Sequence, residues 1–166
     1  IGENNILEKI IVENNKITDI SPLKNCKNLK YLNLWSNKIS DITSLEEIKS
    51  LEELYMSNNE IVNITALKNI KNLRKIHLAQ NKITDISAIA DLINIEELHI
   101  NKNKIIDISY LEKLNQIKEL DISDNNILNI ESLKKLELIE NIGFKNNQIE
   151  NIKVLAKMYK LKVIDG

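Results

Sequence analysis

The chain is poor in the residues that cross-link small folds or bind metals. Its 166 residues include one cysteine, one proline, three glycines, one tryptophan, four tyrosines and one phenylalanine. A single cysteine excludes an internal disulfide, and the sequence has no cysteine–histidine metal motif, so we expect neither a cofactor nor a metal. No apolar run approaches the roughly 18 residues of a membrane span. With Lys+Arg 23 against Asp+Glu 24, bulk charge does not favour binding to nucleic acid or insertion at an anionic membrane.

The sequence does contain a strict internal repeat. Asparagine recurs every 22 residues, at Asn15, Asn37, Asn59, Asn81, Asn103, Asn125 and Asn147. Apolar residues keep fixed offsets from it, as in Leu29-x-x-Leu32-x-Leu34-x-x-Asn37. The period divides the chain into seven 22-residue units over 7–160 and a terminal strand at 161–166. Such a period predicts one solenoid array over 1–166, in which stacked units share a core.

Each unit is predicted to be a short strand followed by a return segment. Apolar residues alternate around Leu32 and Leu34, which is the period of a strand with one buried face. From Ile42 the apolar spacing becomes three, which favours a short 3₁₀ turn. Hydroxyl residues precede this segment, and we expect them to cap its free N–H groups: Ser21, Thr43, Thr65, Ser87 and Ser109. The repeated asparagine follows the strand, where its amide can satisfy backbone groups left unpaired in the turns.

The 22-residue pattern resembles the leucine-rich-repeat family, and the runs NKITDISPL at 15–23 and NKITDIS at 81–87 resemble internalins. The resemblance implies an α/β solenoid: a right-handed horseshoe with a parallel sheet on its concave side and short 3₁₀ or turn segments on its convex side. It also implies a protein at the bacterial cell surface, or secreted, that recognises another protein and is not an enzyme. Late in the array the pattern weakens, because Glu131 and Lys153 replace the hydroxyl residue.

The closing run LKVIDG at 161–166 is similar to the final cap of the phosphatase-regulating type of leucine-rich repeat. A cytoplasmic adaptor or phosphatase-regulatory subunit is therefore the alternative function. Solenoids need polar caps at both ends. We see no helical cap before Leu7 and no folded domain after Gly166, so we expect the array to be part of a longer protein.

The concave face is predicted to bind the partner protein. With Leu32 and Leu34 facing inward, the intervening side chains of this strand must point to the concave side. The same offsets in the other units give the predicted partner-binding residues: Tyr31, Asn33, Trp35, Glu53, Tyr55, Lys75, His77, Glu97, His99 and Asp121. Among them Trp35, Tyr31 and Tyr55 are an exposed aromatic group of the kind that interfaces concentrate. The opposing interpretation is that these rings only shield neighbouring strands.

His77, His99 and Asp121 are adjacent in the central column of this face. Two histidines and a carboxylate are a combination that metal and catalytic sites use. However, neighbouring strands hold side chains about 4.8 Å apart, farther than a tetrahedral metal site requires, and no fourth ligand is evident. A flat sheet also offers no oxyanion hole. We therefore predict a solvated, pH-sensitive binding surface without metal or catalysis.

A rim column of charged residues precedes each strand, and its sign alternates along the array: Glu8, Lys30, Glu52, Arg74, Glu96, Lys118, Glu140 and Lys162. Opposite charges on neighbouring strands attract by a few tenths of a kcal/mol, so we expect this column to favour one register and to interrupt any basic track for nucleic acid. Cys26 occupies an apolar position of the repeat and is predicted to be buried. Tyr110 is predicted to be a partly exposed convex residue.

Overall fold

The computed structural model describes residues 6–166, and within them the chain forms one parallel sheet. Its eight strands pair in chain order: β1 Lys9–Ile11, β2 Tyr31–Asn33, β3 Glu53–Tyr55, β4 Lys75–His77, β5 Glu97–His99, β6 Glu119–Asp121, β7 Asn141–Gly143 and β8 Val163–Asp165. Short 3₁₀ helices return the chain between strands: Ser21–Asn25, Thr43–Glu47, Thr65–Leu67, Ser87–Ile89, Ser109–Lys113, Glu131–Lys135 and Lys153–Lys157. The predicted leucine-rich-repeat horseshoe is confirmed.

The helices of the described range are three to five residues long, too short for any of them to cross a bilayer. The predicted absence of a helical cap before Leu7 concerns mainly residues 1–5, which lie outside the described range.

The core is one continuous column of apolar side chains. In each pair of neighbouring strands a residue faces the equivalent residue of the next unit, as Leu32 faces Leu54 and Leu54 faces Ile76. These three side chains are fully buried. Because no unit can bury its apolar face alone, the fold depends on stacking neighbours. Cys26 is buried in this core as predicted, and Tyr110 lies on the convex side with 36% of its surface exposed.

The repeated asparagine joins neighbouring units through its side-chain amide. Asn81 Oδ1 accepts a hydrogen bond from Ile61 N at 2.9 Å, while its Nδ2 donates to the carbonyl oxygens of Met56 and Leu78 at 3.0 Å each. Equivalent bonds recur at Asn37, Asn59, Asn103, Asn125 and Asn147. Within residues 6–166 no buried side-chain nitrogen or oxygen lacks a partner. We call this column the asparagine ladder, and its predicted role is confirmed.

The prediction that serine and threonine cap the return helices is wrong. Oδ1 of Asp41 accepts the backbone N–H of Thr43 at 2.8 Å, and the Thr43 hydroxyl donates to the same oxygen. The same backbone bond forms two residues after Asp19, Asn63, Asp85, Asp107, Asn129 and Asn151. A carboxylate and an amide both present Oδ1, which explains why aspartate and asparagine interchange here. The hydroxyl and N–H of Thr43 lower the pKa of Asp41.

We expect Asn81→Ala to destabilise the array strongly. The change leaves the Ile61 N–H buried and without its partner, whereas the Met56 and Leu78 carbonyls keep their bonds from the amides of Asn59 and Asn103. One unsatisfied buried group costs about 1–3 kcal/mol and each of the two lost carbonyl bonds about 0.5–1.5 kcal/mol, so the free energy of unfolding in urea should fall by about 3 kcal/mol. Asn15→Ala is the matched control, because Asn15 is exposed and its amide donates only within its own turn. Equal losses in the two variants would contradict a special role for the buried ladder.

We expect Asp41→Ala to lower the melting temperature at neutral pH and Asp41→Asn to preserve it, because asparagine keeps the capping oxygen. The folded state lowers the pKa of Asp41. The carboxylate therefore stabilises the fold above its unfolded pKa of about 3.9, and this contribution disappears as pH falls through the folded pKa. Thermal melts at about pH 7 and about pH 3 should show that the wild type loses more stability than Asp41→Asn as the pH falls. A difference between these two proteins that does not change with pH would refute the assignment.

Candidate functional site

The strand register brings the predicted partner-binding residues together on the concave face. Tyr31 and Asn33 lie on β2, and their Cα partners on β3 are Glu53 and Tyr55. The column continues through Lys75, His77, Glu97, His99 and Asp121 on β4 to β6. All of these side chains are half-buried, whereas Trp35, which follows β2, is 41% exposed. Their position on one face is thus observed, and their role in binding stays a prediction.

Four of these side chains form a continuous row of rings. The ring centroids of Tyr31 and Tyr55 are 5.2 Å apart, and those of Tyr55 and His77 are 4.6 Å apart in an edge-on contact. His77 and His99 are stacked at 4.1 Å with 23° between their planes. Lys9 Nζ lies 4.2 Å from the centroid of Tyr31 and closes one end. The sequence pattern had suggested an aromatic group and a separate histidine column, and the structure joins them into one feature, the ring row.

Trp35 stands beside the ring row. Among residues 6–166 it takes part in none of the ring contacts. Its backbone N–H donates to Asn33 Oδ1 at 3.0 Å, and Asn33 Nδ2 in turn donates to Glu13 Oε2 at 2.7 Å. The indole is the largest side chain of the face, and Trp35 is 41% exposed.

Glutamates of the neighbouring column bind the polar edges of the rings. The Tyr55 hydroxyl donates to Glu53 Oε2 at 2.8 Å, and His77 Nε2 lies 2.7 Å from Glu97 Oε1. His99 Nε2 lies 3.0 Å from Glu119 Oε1. Since a carboxylate can only accept, each ring is the donor. Glu119 was missed from the sequence because the bond runs diagonally, between different columns and different strands.

The electrostatics of the face differ from group to group. Burial lowers the pKa of His77 and the neighbouring His99 lowers it further, which outweighs the attraction of Glu97. Burial, together with the bond to Glu53, raises the pKa of Tyr55. Burial alone would raise the pKa of Glu97, but hydrogen bonds from Lys75 and His77 outweigh it and the pKa is lowered. At neutral pH the Tyr55 and His77 rings are therefore neutral, and His77 lies against the charged carboxylate of Glu97.

The compact group of ligand-type side chains is His77, Glu97 and His99, and it does not include Asp121. One ligand atom from each of the three lies within 4.8 Å of the others. Asp121 is the Cα partner of His99, as the repeat predicts, but its Oδ1 accepts the backbone N–H of Ser123 at 3.0 Å. Glu97 was not assigned to this group because it belongs to a different column, although it is on the same strand and face as His99.

Past β5 the character of the face changes from aromatic to small and acidic. A Cβ placed on Gly143 would lie 2.8 Å from Asp121 Oδ1 and 3.0 Å from Ser123 Oγ. The glycine therefore leaves room for the Asp121 carboxylate, and the ring row ends at His99.

The rim column forms salt bridges between neighbouring strands. Lys30 pairs with Glu8 at 3.2 Å, and Glu96 pairs with both Arg74 and Lys118. Lys162 pairs with Glu140 at 2.7 Å. Except for Glu96, at 26%, these side chains are 39–67% exposed, so each pair contributes little to stability. Their effect is to alternate charge along the rim.

The sequence and the fold are similar to those of known leucine-rich-repeat proteins. The family model for leucine-rich repeats, in two copies, matches residues 7–47 and 49–91, about half of the chain. The structure is similar to internalin C2 of Listeria monocytogenes, with 30% identity and a TM-score of 0.92, over 96% of this chain and 71% of that one. An internalin (inlF) of the same species shows 25% identity and a TM-score of 0.70, over 92% of this chain and 58% of that one.

A leucine-rich-repeat protein of Leptospira interrogans has the same fold, with 24% identity and a TM-score of 0.87, over 96% of this chain and 44% of that one. No curated protein matches the sequence. Solenoids of this kind present extended concave surfaces that bind other proteins and ordinarily carry out no chemistry. The chain therefore belongs to the leucine-rich-repeat family, as an internalin-like member built as a protein-interaction scaffold.

Proposed function

We propose that this protein binds a partner protein on its concave face, with the ring row and Trp35 at the centre of the contact. The observation that carries the proposal is the ring row itself: four stacked or edge-on rings from successive strands, next to an exposed tryptophan. Binding hot spots are enriched in tryptophan and tyrosine, and aromatic side chains dominate the energetics of interfaces.

The arrangement also lowers the entropic cost of binding. Tyr55, His77 and His99 are each held by a neighbouring ring and by a bond to a glutamate. Side chains that are already ordered lose little rotamer entropy when a partner covers them. The Tyr55 hydroxyl and the Nε2 atoms of His77 and His99 already have partners, so a protein that covers the ring row does not have to satisfy these groups. Binding without a chemical step is the proposed activity.

For the biological setting we propose recognition or adhesion at the bacterial cell surface, or by a secreted form. Similarity to internalin C2 and to a second Listeria internalin supports this setting. The chain spans 71% of the first and 58% of the second, so the activity of a whole internalin is a proposal for this protein. The alternative, a cytoplasmic adaptor or phosphatase-regulatory subunit, is supported by the closing run at 161–166.

We expect the double variant Trp35→Ala, Tyr55→Ala to lose its partner while keeping its fold. Proteins from host-cell membranes or extracellular medium are captured on the immobilised wild type and identified by mass spectrometry. The captured proteins should bind the variant at least about tenfold more weakly, because aromatic anchors carry most of an interface's energy. Tyr110→Ala is the matched control, an exposed tyrosine on the convex side. Partners lost with Tyr110→Ala, or retained by the double variant, would move the site away from the concave face.

We expect protease treatment of intact source cells to release peptides of this array, since a surface protein is accessible before lysis. Mass spectrometry compares the peptides released before lysis with those released after it, and a known cytoplasmic protein is the control for leakage. Peptides that appear only after lysis would reject the surface setting and favour the cytoplasmic alternative, while leaving the concave-face proposal to its own test.

A further inference from the structure

We propose that His77, Glu97 and His99 bind a divalent ion of the zinc class in the concave groove. These residues come from β4 and β5, and one ligand atom from each lies within 4.8 Å of the others. The proposal does not depend on partner binding, and it can be tested with the chain and the metal alone.

A single carboxylate oxygen is shared between the two imidazoles. Glu97 Oε1 lies 2.7 Å from His77 Nε2 and 3.9 Å from His99 Nε2. Zinc takes nitrogen and oxygen ligands at about 2.0–2.2 Å, so tetrahedral ligand atoms are about 3.3 Å apart. The two observed separations lie on both sides of that value, and each must change by about 0.6 Å. One imidazole must also turn. The strand spacing that had excluded a site in one column therefore does not exclude one across two columns.

Lys75 orients the carboxylate for this purpose. Its Nζ lies 3.1 Å from Glu97 Oε2. With that oxygen engaged, Oε1 is the one directed toward the imidazoles. Lys75 thus acts as a positioning residue, and it fixes the ligand atom without occupying the ion's place.

Ion binding requires three local changes. The His77 and His99 rings are nearly parallel, at 4.1 Å and 23°, so one imidazole must turn about its Cβ–Cγ bond before both Nε2 lone pairs point at one ion. The protons now on Nε2 move to Nδ1 or to solvent. Glu119 must release His99 Nε2, which it can do because 46% of its side chain is already exposed. The fourth coordination position then faces the groove.

The donor set selects the class of metal. Two imidazoles and one carboxylate suit zinc and neighbouring late transition ions, and three protein ligands leave one position open. Calcium and magnesium prefer sites made of oxygen alone. Calcium is therefore the natural negative probe.

The test is calorimetric titration of zinc chloride into the untagged full chain, with calcium chloride in a parallel run. We expect one equivalent of zinc to bind and calcium not to bind. His99→Gln and Glu97→Gln should each weaken zinc binding by at least about tenfold, the lower limit for disturbing even an outer-shell group. Glu140→Gln is the matched control, because it removes a rim carboxylate that pairs with Lys162, away from the histidines.

Nuclear magnetic resonance supplies a second readout. The chain has only two histidines, so both imidazole Hε1 signals can be assigned and both should shift in step with added zinc. Circular dichroism verifies that each variant is folded. Failure to bind one equivalent, or unchanged binding by His99→Gln and Glu97→Gln, would overturn the site. Neither result bears on partner capture, which is measured separately.

Discussion

The side-chain amide of the repeated asparagine is the interaction on which the rest of the molecule depends. Each unit is too small to bury its own apolar face, and its turn leaves backbone groups that no strand can pair. An amide carries a donor and an acceptor on one rigid plane, so Asn81 can accept from the preceding unit while donating to both units. Repetition of this set of bonds every 22 residues holds the units at one spacing.

That constant spacing turns a sequence offset into a surface contact. Because every strand has the same register, Tyr55, His77 and His99 occupy one position on successive strands. Strands about 4.8 Å apart hold rings at centroid distances of 4.1–4.6 Å, which is contact distance. The rings therefore pack against each other without any turn or loop to position them. A surface built in this way is rigid because the core beneath it is rigid.

The period was sufficient to predict the strands, the core and the residues of the concave face, since each follows from an offset in the repeat. Diagonal contacts could not be predicted, because Glu97 meets His77 only once side-chain conformations are known. The capping aspartate was missed because two oxygen-bearing residues, Asp41 and Thr43, compete for one role. The left-handed backbone before each ladder asparagine was also missed. Asparagine or aspartate, which favour this conformation, occupy four of the seven positions, but Ser36, Gln80 and Lys102 adopt it too, with φ of 53–55°, and these residue types carry no signal for it.

The ring row offers two different chemistries on one surface. A partner protein would cover the packed row, whereas an ion would use the Nε2 atoms of His77 and His99 and the oxygen of Glu97. The two are nevertheless coupled, because turning one imidazole toward an ion breaks the stack that His77 and His99 now form. Coupling between two ligands is reciprocal. A partner that fits the intact ring row must therefore weaken ion binding by the same factor by which the ion weakens partner binding. A partner that supplies the fourth ligand must strengthen ion binding by the factor by which the ion strengthens partner binding.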